Sequence, residues 1–371
     1  MQFDPADGPP KDGRPLKRGW TTGACATAAA KAALTALLTG EFPDPVEIRL
    51  PKGETPAFPL ARQRLSGGEA TAAIIKDAGD DPDVTHLAEV AATVRLLPPG
   101  SGVVFRAGEG VGTVTLPGLP IPPGEPAINP VPRRMMGAVA AEVCGRHGRA
   151  ADVEITVGVA NGADLARHTW NGRLGIVGGL SILGTTGIVH PFSCSAWIHS
   201  IHRGVDVARA AGLHHVVGST GSSSEDAARR LYPALGEVAF LDMGDFAGGL
   251  LKYLRVHPIP RLTIAGGFAK LAKLGAGSMD LHSGRSQVDF AFLHGLARRI
   301  DPAAARRLEP AIREAVTAKA VLDMAKAEGL DLGAAVAAAA LDTVREVLRG
   351  APVAAEVIAV DRTGAVIGRA G

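Results

Sequence analysis

Aromatic side chains are scarce in these 371 residues, at 4%. The core therefore has to be assembled from Ala, Val, Leu and Ile. An excess of charge of one sign is missing as well: 39 Lys and Arg stand against 37 Asp and Glu, a formal net of +2. That balance argues against bulk electrostatic binding to nucleic acid or to a membrane surface, so an anionic ligand must be met by a local cluster of cations. The three cysteines, Cys25, Cys144 and Cys194, are odd in number and far apart. They suit reduced thiols in a cytoplasmic protein better than a disulfide framework. Residues 1–17 are polar, with Pro and Gly, and lack the apolar centre of a secretory signal; no apolar run reaches membrane length. The P-loop pattern is absent, and Gly218-Ser-Thr-Gly-Ser-Ser-Ser-Glu225 does not complete a dinucleotide fingerprint.

What is present divides into two halves, as expected for a chain longer than one core usually supports. Residues 1–17 read as a disordered lead-in, 18–191 as an α+β domain, and 192–371 as an α/β domain. In Arg18-Gly-Trp-Thr-Thr-Gly-Ala-Cys-Ala, Thr21 or Thr22 is a natural N-cap for the alanine-rich run behind it. A helix start of that kind offers N–H groups and a positive dipole end to an anion, with Arg18 beside it, or is simply a capped helix. Lys76-Asp-Ala-Gly-Asp-Asp-Pro-Asp-Val-Thr-His86 carries four aspartates and a histidine. It reads as a cation site without EF-hand spacing, or as a turn braced by Asx hydrogen bonds. Val103–Arg106 and Gly112–Leu116 flank a stretch that reads as a hairpin-like connection. Arg133 and Arg134 open a helix over about 133–146, where paired arginines suit carboxylate recognition or stand solvated.

The middle of the chain, Gly178 to Pro191, combines four glycines, Ser181, Thr185 and Thr186, with no charge before His190. It reads as a buried strand running into a ligand-facing turn, or as a packed crossover. Beyond it strands and helices alternate, which implies a parallel sheet covered on both faces. Ligands then bind beyond the carboxyl ends of the strands. The loops starting at Gly218, Asp242 and Gly266 leave those ends. The alanine-rich helices of 302–349 should break around Gly329 and Gly333. His199 and His202, three apart on a helix, read as surface or packing residues rather than metal ligands, and no metal is expected.

Five segments together resemble the cobalt-precorrin-5B C(1)-methyltransferase (CbiD) family: residues 18–26, 76–86, 108–120, 124–134 and 173–189. The resemblance runs from about residue 17 to the C-terminus. It implies methyl transfer from S-adenosyl-L-methionine to carbon C1 of a cobalt-corrin precursor, cobalt-precorrin-5B, giving cobalt-precorrin-6A in cobalamin biosynthesis. It implies an α+β first domain resembling a permuted ribosomal-protein-S5-domain-2 unit, then an α/β domain with a four-stranded parallel sheet ordered 2-1-3-4. The sequence departs from the family at Gly218–Glu225, at Gly266–Lys270 and at His190, which shifts weight there from side chains to backbone.

Under that resemblance Arg18, Arg133, Arg134 and Arg173 are candidates for holding the precursor's carboxylates, with Thr21, Thr22, Thr185 and Thr186 beside them. Gly218, Ser219, Asp242, Gly266 and Gly267 are candidates for holding S-adenosyl-L-methionine, and Asp77, His86 and His190 for accepting a proton. The Gly184–Gly187 turn would line a cleft shared by the domains. The partners expected are the corrin precursor alone, with no nucleic acid and no membrane, and a homo-oligomer stays open. The competing reading is a non-catalytic tetrapyrrole carrier; a nucleotide-dependent dehydrogenase is disfavoured by the incomplete fingerprint.

Overall fold

The computed structural model describes residues 14–371. Residues 1–13 of the expected lead-in lie outside the described residues. The chain divides into two compact units, Met1–Ser193 and Cys194–Gly371.

The first unit begins with a two-residue strand, β1 (Gly19–Trp20), that runs into α1 (Thr22–Thr39). A short antiparallel pair, β2 (Val46–Glu47) and β3 (Ala57–Phe58), follows. The main sheet takes β4 (Arg62–Ser66), β5 (Glu69–Ile75), β6 (Glu89–Leu96) and β7 (Val103–Ala107). After β8 (Thr113–Val114) and α2 (Pro130–Arg146), β9 (Val153–Val159) inserts between β6 and β7, giving the order β4-β5-β6-β9-β7. Then come α3 (Gly162–Ala166), β10 (Ile176–Val177), which pairs with β8, and β11 (Ile188–Val189), which pairs with β1. The hairpin expected between β7 and β8 does not form: β7 pairs in parallel with β9, and β8 pairs with β10. Those long-range pairings leave no mark in local turn chemistry.

Alanine is what lets α1 sit deep in this unit. Its small side chains at 24, 26, 28, 29, 30, 32, 33 and 36 are buried, and the helix packs on β5, β6 and α2. Gly40 ends it at φ 86°, with its N–H on the Ala36 carbonyl at 2.8 Å.

In the second unit α4 (Cys194–Ala210) precedes β12 (His215–Ser219), α5 (Ser222–Leu231), β13 (Phe240–Asp242), α6 (Ala247–Val256) and β14 (Arg261–Gly267). There follow α7 (Phe268–Gly275), α8 (Phe290–Ile300), α9 (Pro302–Arg313), α10 (Ala318–Ala327), α11 (Leu332–Leu348), β15 (Ala354–Val360) and β16 (Val366–Ala370). The sheet runs β13-β12-β14-β15-β16, parallel throughout except for β16. Val216, Ile264 and Val357 bury one face in the large cluster with α6, α7 and α11; Val217, Ala265, Ile358 and Val360 bury the other, in clusters that include Ala227 and Ala228 of α5. Burial on both faces is the condition a parallel sheet needs. Gly333 does not break the last helices. It lies in the first turn of α11, where a Cβ would stand 2.0 Å from the Ile367 carbonyl oxygen, so it admits β16 instead. Among the described residues no helix is long and apolar enough to cross a membrane.

Candidate functional site

β1 brings three of the sequence motifs together. On one side Gly19 and Trp20 pair with Val189 and Ile188. On the other, the Trp20 N–H donates to the Asp77 carbonyl at 2.7 Å, and Arg18 bridges to Gly79. The approach is too close for any side chain: a Cβ on Gly19 would lie 2.0 Å from the Ala78 carbonyl carbon, and one on Gly79 (φ 69°) 2.2 Å from the Lys17 carbonyl oxygen. The segments around residues 18, 77 and 188 thus form one strand-bound patch.

The Gly178–Pro191 stretch is not a continuous strand. Leu180 and Ile182 are buried and make single bridges, to Val111 and Ile128, before the chain turns. The turn then caps α1. The Gly23 N–H donates to the Leu183 carbonyl at 2.8 Å and the Thr21 N–H to the Gly187 carbonyl at 3.0 Å, while Thr21 Oγ1 accepts from the Ala24 N–H at 3.2 Å. Thr22 and Gly23 are buried. The carboxylate site expected at Thr21–Gly23 is therefore corrected, because donors of Gly23 and Ala24 that an anion would meet are already engaged inside the protein. Gly184 (φ 141°) passes where a Cβ would stand 2.2 Å from Thr21 Oγ1. Thr186 Oγ1 accepts from the Ile188 N–H at 3.2 Å, a local brace, whereas Leu183, Thr185 and His190 point outward as exposed residues.

The acidic loop is wired to itself and to its neighbours. Asp77 takes Lys17 Nζ and the Gly79 N–H, at 2.5 and 2.8 Å. The Lys17 contact above all, with Gly79, holds its carboxyl below the usual range. Asp80 accepts the Lys17 N–H at 2.8 Å, and Asp81 accepts the Phe192 N–H at 2.9 Å. Burial pushes the Asp81 carboxyl up. Asp83 takes the ammonium of Lys76, which is wholly buried, together with the hydroxyl and N–H of Thr85. Burial alone would raise the Asp83 carboxyl, but Lys76 and Thr85 outweigh it and hold it low. With their oxygens so occupied these aspartates brace a turn, and among the described residues no cluster of His, Cys, Asp or Glu could hold a metal ion.

His86 stands 4.0 Å from Asp77, with Nδ1 accepting the Ala78 N–H at 3.1 Å. A neutral ring held this way carries its proton on Nε2 and offers a donor, so the Ala78 bond must break before His86 can take a proton. Asp77 is half-buried, with its carboxylate engaged by Lys17 and Gly79, and His86 is the exposed member of the pair. Cys25, in the same motif as Arg18, is buried, and its thiol is pushed up to about 12 by desolvation, which makes it inert.

The four arginines part company. Arg133 is consumed internally: it donates to the Ile128 and Pro126 carbonyls at 2.8 and 3.0 Å, to Glu125 at 3.2 Å, and lies over the Phe105 ring. Its role as a substrate clamp is corrected on that ground. Arg173 packs over Trp170, 4.9 Å from the ring centroid. Arg18 and Arg134 are exposed.

The second unit's candidates lie at the carboxyl edge of its sheet. The expected loop at Gly218–Glu225 is only Thr220 and Gly221, since β12 reaches Ser219 and α5 starts at Ser222. β14 likewise runs through Gly266 and Gly267 straight into α7. Gly218 and Gly266 are packing positions rather than ligand cradles: a Cβ would meet Leu250 at 2.4 Å and Leu271 at 2.9 Å. Gly221 and Gly267 face open space. Asp242 Oδ1 accepts the Gly244 N–H at 3.1 Å.

Two polar atoms on this edge are buried without a protein hydrogen-bond partner, Ser219 Oγ and Asp245 Oδ1. Lys270 Nζ stands 3.0 Å from Asp245 Oδ1, off the direction a hydrogen bond needs, and donates to the Thr220 carbonyl at 2.8 Å. Lys273 is buried, donates to the Leu281 carbonyl at 2.8 Å, and is held below the usual lysine range by desolvation. Asp245 lies three residues beyond Asp242, whose place at the strand end is the one the sequence pattern signals, and only the buried position of Asp245 in the fold marks it out.

Comparison with known proteins identifies the lineage. The CbiD family model matches residues 9–191, and the model of the CbiD C-terminal domain matches residues 280–371. The chain belongs to the CbiD family. Relatives named cobalt-precorrin-5B C(1)-methyltransferase are 64% identical in Brucella anthropi and 62% identical in Brucella abortus, each over 95% of both chains. A solved structure of the cobalamin biosynthesis protein cbiD from Archaeoglobus fulgidus is 26% identical, covers 73% of this chain and 83% of its own, and has a TM-score of 0.39. The CbiD model that spans the first unit takes in all three segments that β1 ties together.

Proposed function

We propose that this protein methylates C1 of cobalt-precorrin-5B, giving cobalt-precorrin-6A in cobalamin biosynthesis, with S-adenosyl-L-methionine as the methyl donor. The observation that carries this reading is identity of 62–64% over 95% of both chains to relatives named for that reaction. In this reading the first unit, with the permuted ribosomal-protein-S5-like arrangement, binds the corrinoid, and the second unit binds the donor.

The donor supplies an electrophilic methyl group. What the protein must supply is position, since in-line approach at near-attack distance provides much of the rate. Exposed Arg18 and Arg134 have charge to offer the precursor's carboxylates, and Thr185 and Arg173 supplement them. Asp77 is the proposed proton acceptor, because its half-buried carboxylate is held ionised beside Lys17, with the exposed His86 ring 4.0 Å away. His190 is a second candidate acceptor on the exposed turn. On the second unit, buried polar atoms without protein partners and glycines facing open space fit a polar ligand at the sheet's edge. The scattered, unpaired cysteines support a reducing, cytoplasmic setting.

The test is incubation with the cobalt-loaded precursor and isotopically labelled S-adenosylmethionine, followed by mass analysis of the corrinoid. Gain of one labelled methyl at C1 supports the reading. A corrinoid that binds and returns unmethylated would instead mark a tetrapyrrole carrier.

A further inference from the structure

We propose that Asp245 and Lys270 form the recognition point for the zwitterionic amino-acid end of the methyl donor, Asp245 taking its ammonium and Lys270 its carboxylate. This rests on the reading of the second unit as the donor-binding unit and names the groups that would do the binding.

Three observations meet here. Asp245 is 5% exposed, yet its Oδ1 accepts no hydrogen bond from the protein. A buried carboxylate oxygen without a hydrogen-bond donor destabilises the fold unless a donor arrives. Second, Lys270, the cation at salt-bridge distance from it, with Lys273 and Arg285 acting from farther off, is badly aimed at that oxygen and donates to the Thr220 carbonyl instead. The Lys270 side chain is 36% exposed, so it is the outer member of the pair and the one free to swing. Third, the surroundings are the carboxyl edge of a parallel sheet. Ser219 ends β12 with a hydroxyl that is also buried and unpartnered, and its carbonyl receives the N–H groups of Met243 and Gly244, two and one residues before Asp245. Thr220 Oγ1 accepts the Gly267 N–H at 3.3 Å, joining the ends of β12 and β14.

A lone anion would not complete this site, because it would leave Asp245 facing a second negative charge. A lone cation would compete with Lys270 and gain nothing from it. A ligand carrying both charges on neighbouring atoms satisfies both: its ammonium replaces the misaligned Lys270 on Asp245, and the displaced lysine meets the carboxylate. Each charged end then gains a charge-assisted hydrogen bond that the empty pair lacks.

Calorimetry separates the outcomes. The ligands are S-adenosylhomocysteine and methylthioadenosine, which keeps the nucleoside and thioether but lacks both charged groups. Wild type, Asp245→Asn, Lys270→Met and a surface control, Lys319→Met, are compared, with circular dichroism melts to confirm folding. Wild type and the control should bind S-adenosylhomocysteine about tenfold or more tightly than methylthioadenosine. Each site variant should lose about that factor for S-adenosylhomocysteine and leave methylthioadenosine within about twofold. Unchanged S-adenosylhomocysteine affinity in both variants, or equal losses for both ligands, overturns the assignment while the donor reading stands. Wild type that binds neither ligand, alone or with the corrin precursor, overturns the donor reading and this assignment with it. Should Asp245→Asn fail to fold, Lys270→Met carries the test, since its side chain reaches solvent.

Discussion

Arg134 and its neighbour Arg133 show how much one residue's surroundings decide. The pair reads as a double cation in sequence, and either side chain would suit a carboxylate. In the structure Arg133 braces the Glu125–Ile128 segment from inside, while Arg134 is left exposed. Arg134→Ala should therefore raise KM for the corrin substrate by about tenfold, the loss of one charge-assisted contact, with S-adenosylhomocysteine affinity unchanged. Steady-state kinetics and calorimetry check both halves, and an equal fall in donor affinity would sink the assignment of Arg134 to substrate. Nothing in the sequence could part the two arginines, because which of them turns back onto the Glu125–Ile128 segment depends on how that nearby segment lies against the helix start. Asp77 and His86 were easier to read: both sit in one loop, and local chain brings them within 4.0 Å.

At the scale of elements, β1 is two residues long and holds two distant segments to its own. Gly19→Ala places a methyl against the Ala78 backbone, where neither side can yield without moving a strand. It should destabilise the first unit by about 2–4 kcal/mol, visible as a lower urea midpoint. A stability within about 0.5 kcal/mol of wild type, the range of ordinary surface changes, would show that the approach is looser than described. The regular strands and helices were legible because their periodicity is local: β5, β6 and β9 alternate, and α1 is dense in good helix formers. The partners were not. The β7–β9 and β8–β10 pairings join residues tens of positions apart, and the flanking turn residues suggested a hairpin instead. The Gly178–Pro191 stretch was read as either a turn or a crossover, and it has both a buried half, at Leu180 and Ile182, and an exposed one, at Leu183 and Thr185.

Across the whole molecule, acid should act first on the second unit. Burial lowers His199, His202 and His215, all of which lie in that unit. A histidine whose folded pKa lies below its unfolded value adds no penalty while both states are neutral, above about pH 6.5. As pH falls through that value the unfolded chain takes up protons the folded one refuses, and stability drops until the folded pKa is passed. The carboxylates held low, Asp83 and Glu356, keep their contribution until pH falls below the ordinary carboxylate range. Urea midpoints at pH 7.5, 6 and 5 should therefore fall before pH 5, and a flat profile across that window would show that the partial desolvation of these rings does not hold them low. The number of units was legible from length and from the change of rhythm after Pro191, whereas the sheet order came from family resemblance, not from periodicity. One consequence of the β1–β11 pairing concerns the order of manufacture. Thr21 can cap α1 from its own sequence, but the N–H groups of Gly23 and Thr21 find their carbonyl partners only once Leu183 and Gly187 exist, near the end of the unit. At ordinary rates of translation that is a wait on the order of ten seconds, during which two donors at the leading end of an alanine-rich helix lack their native partners. Synonymous changes that slow translation before Ile188 would lengthen that exposure without altering a single residue of the product.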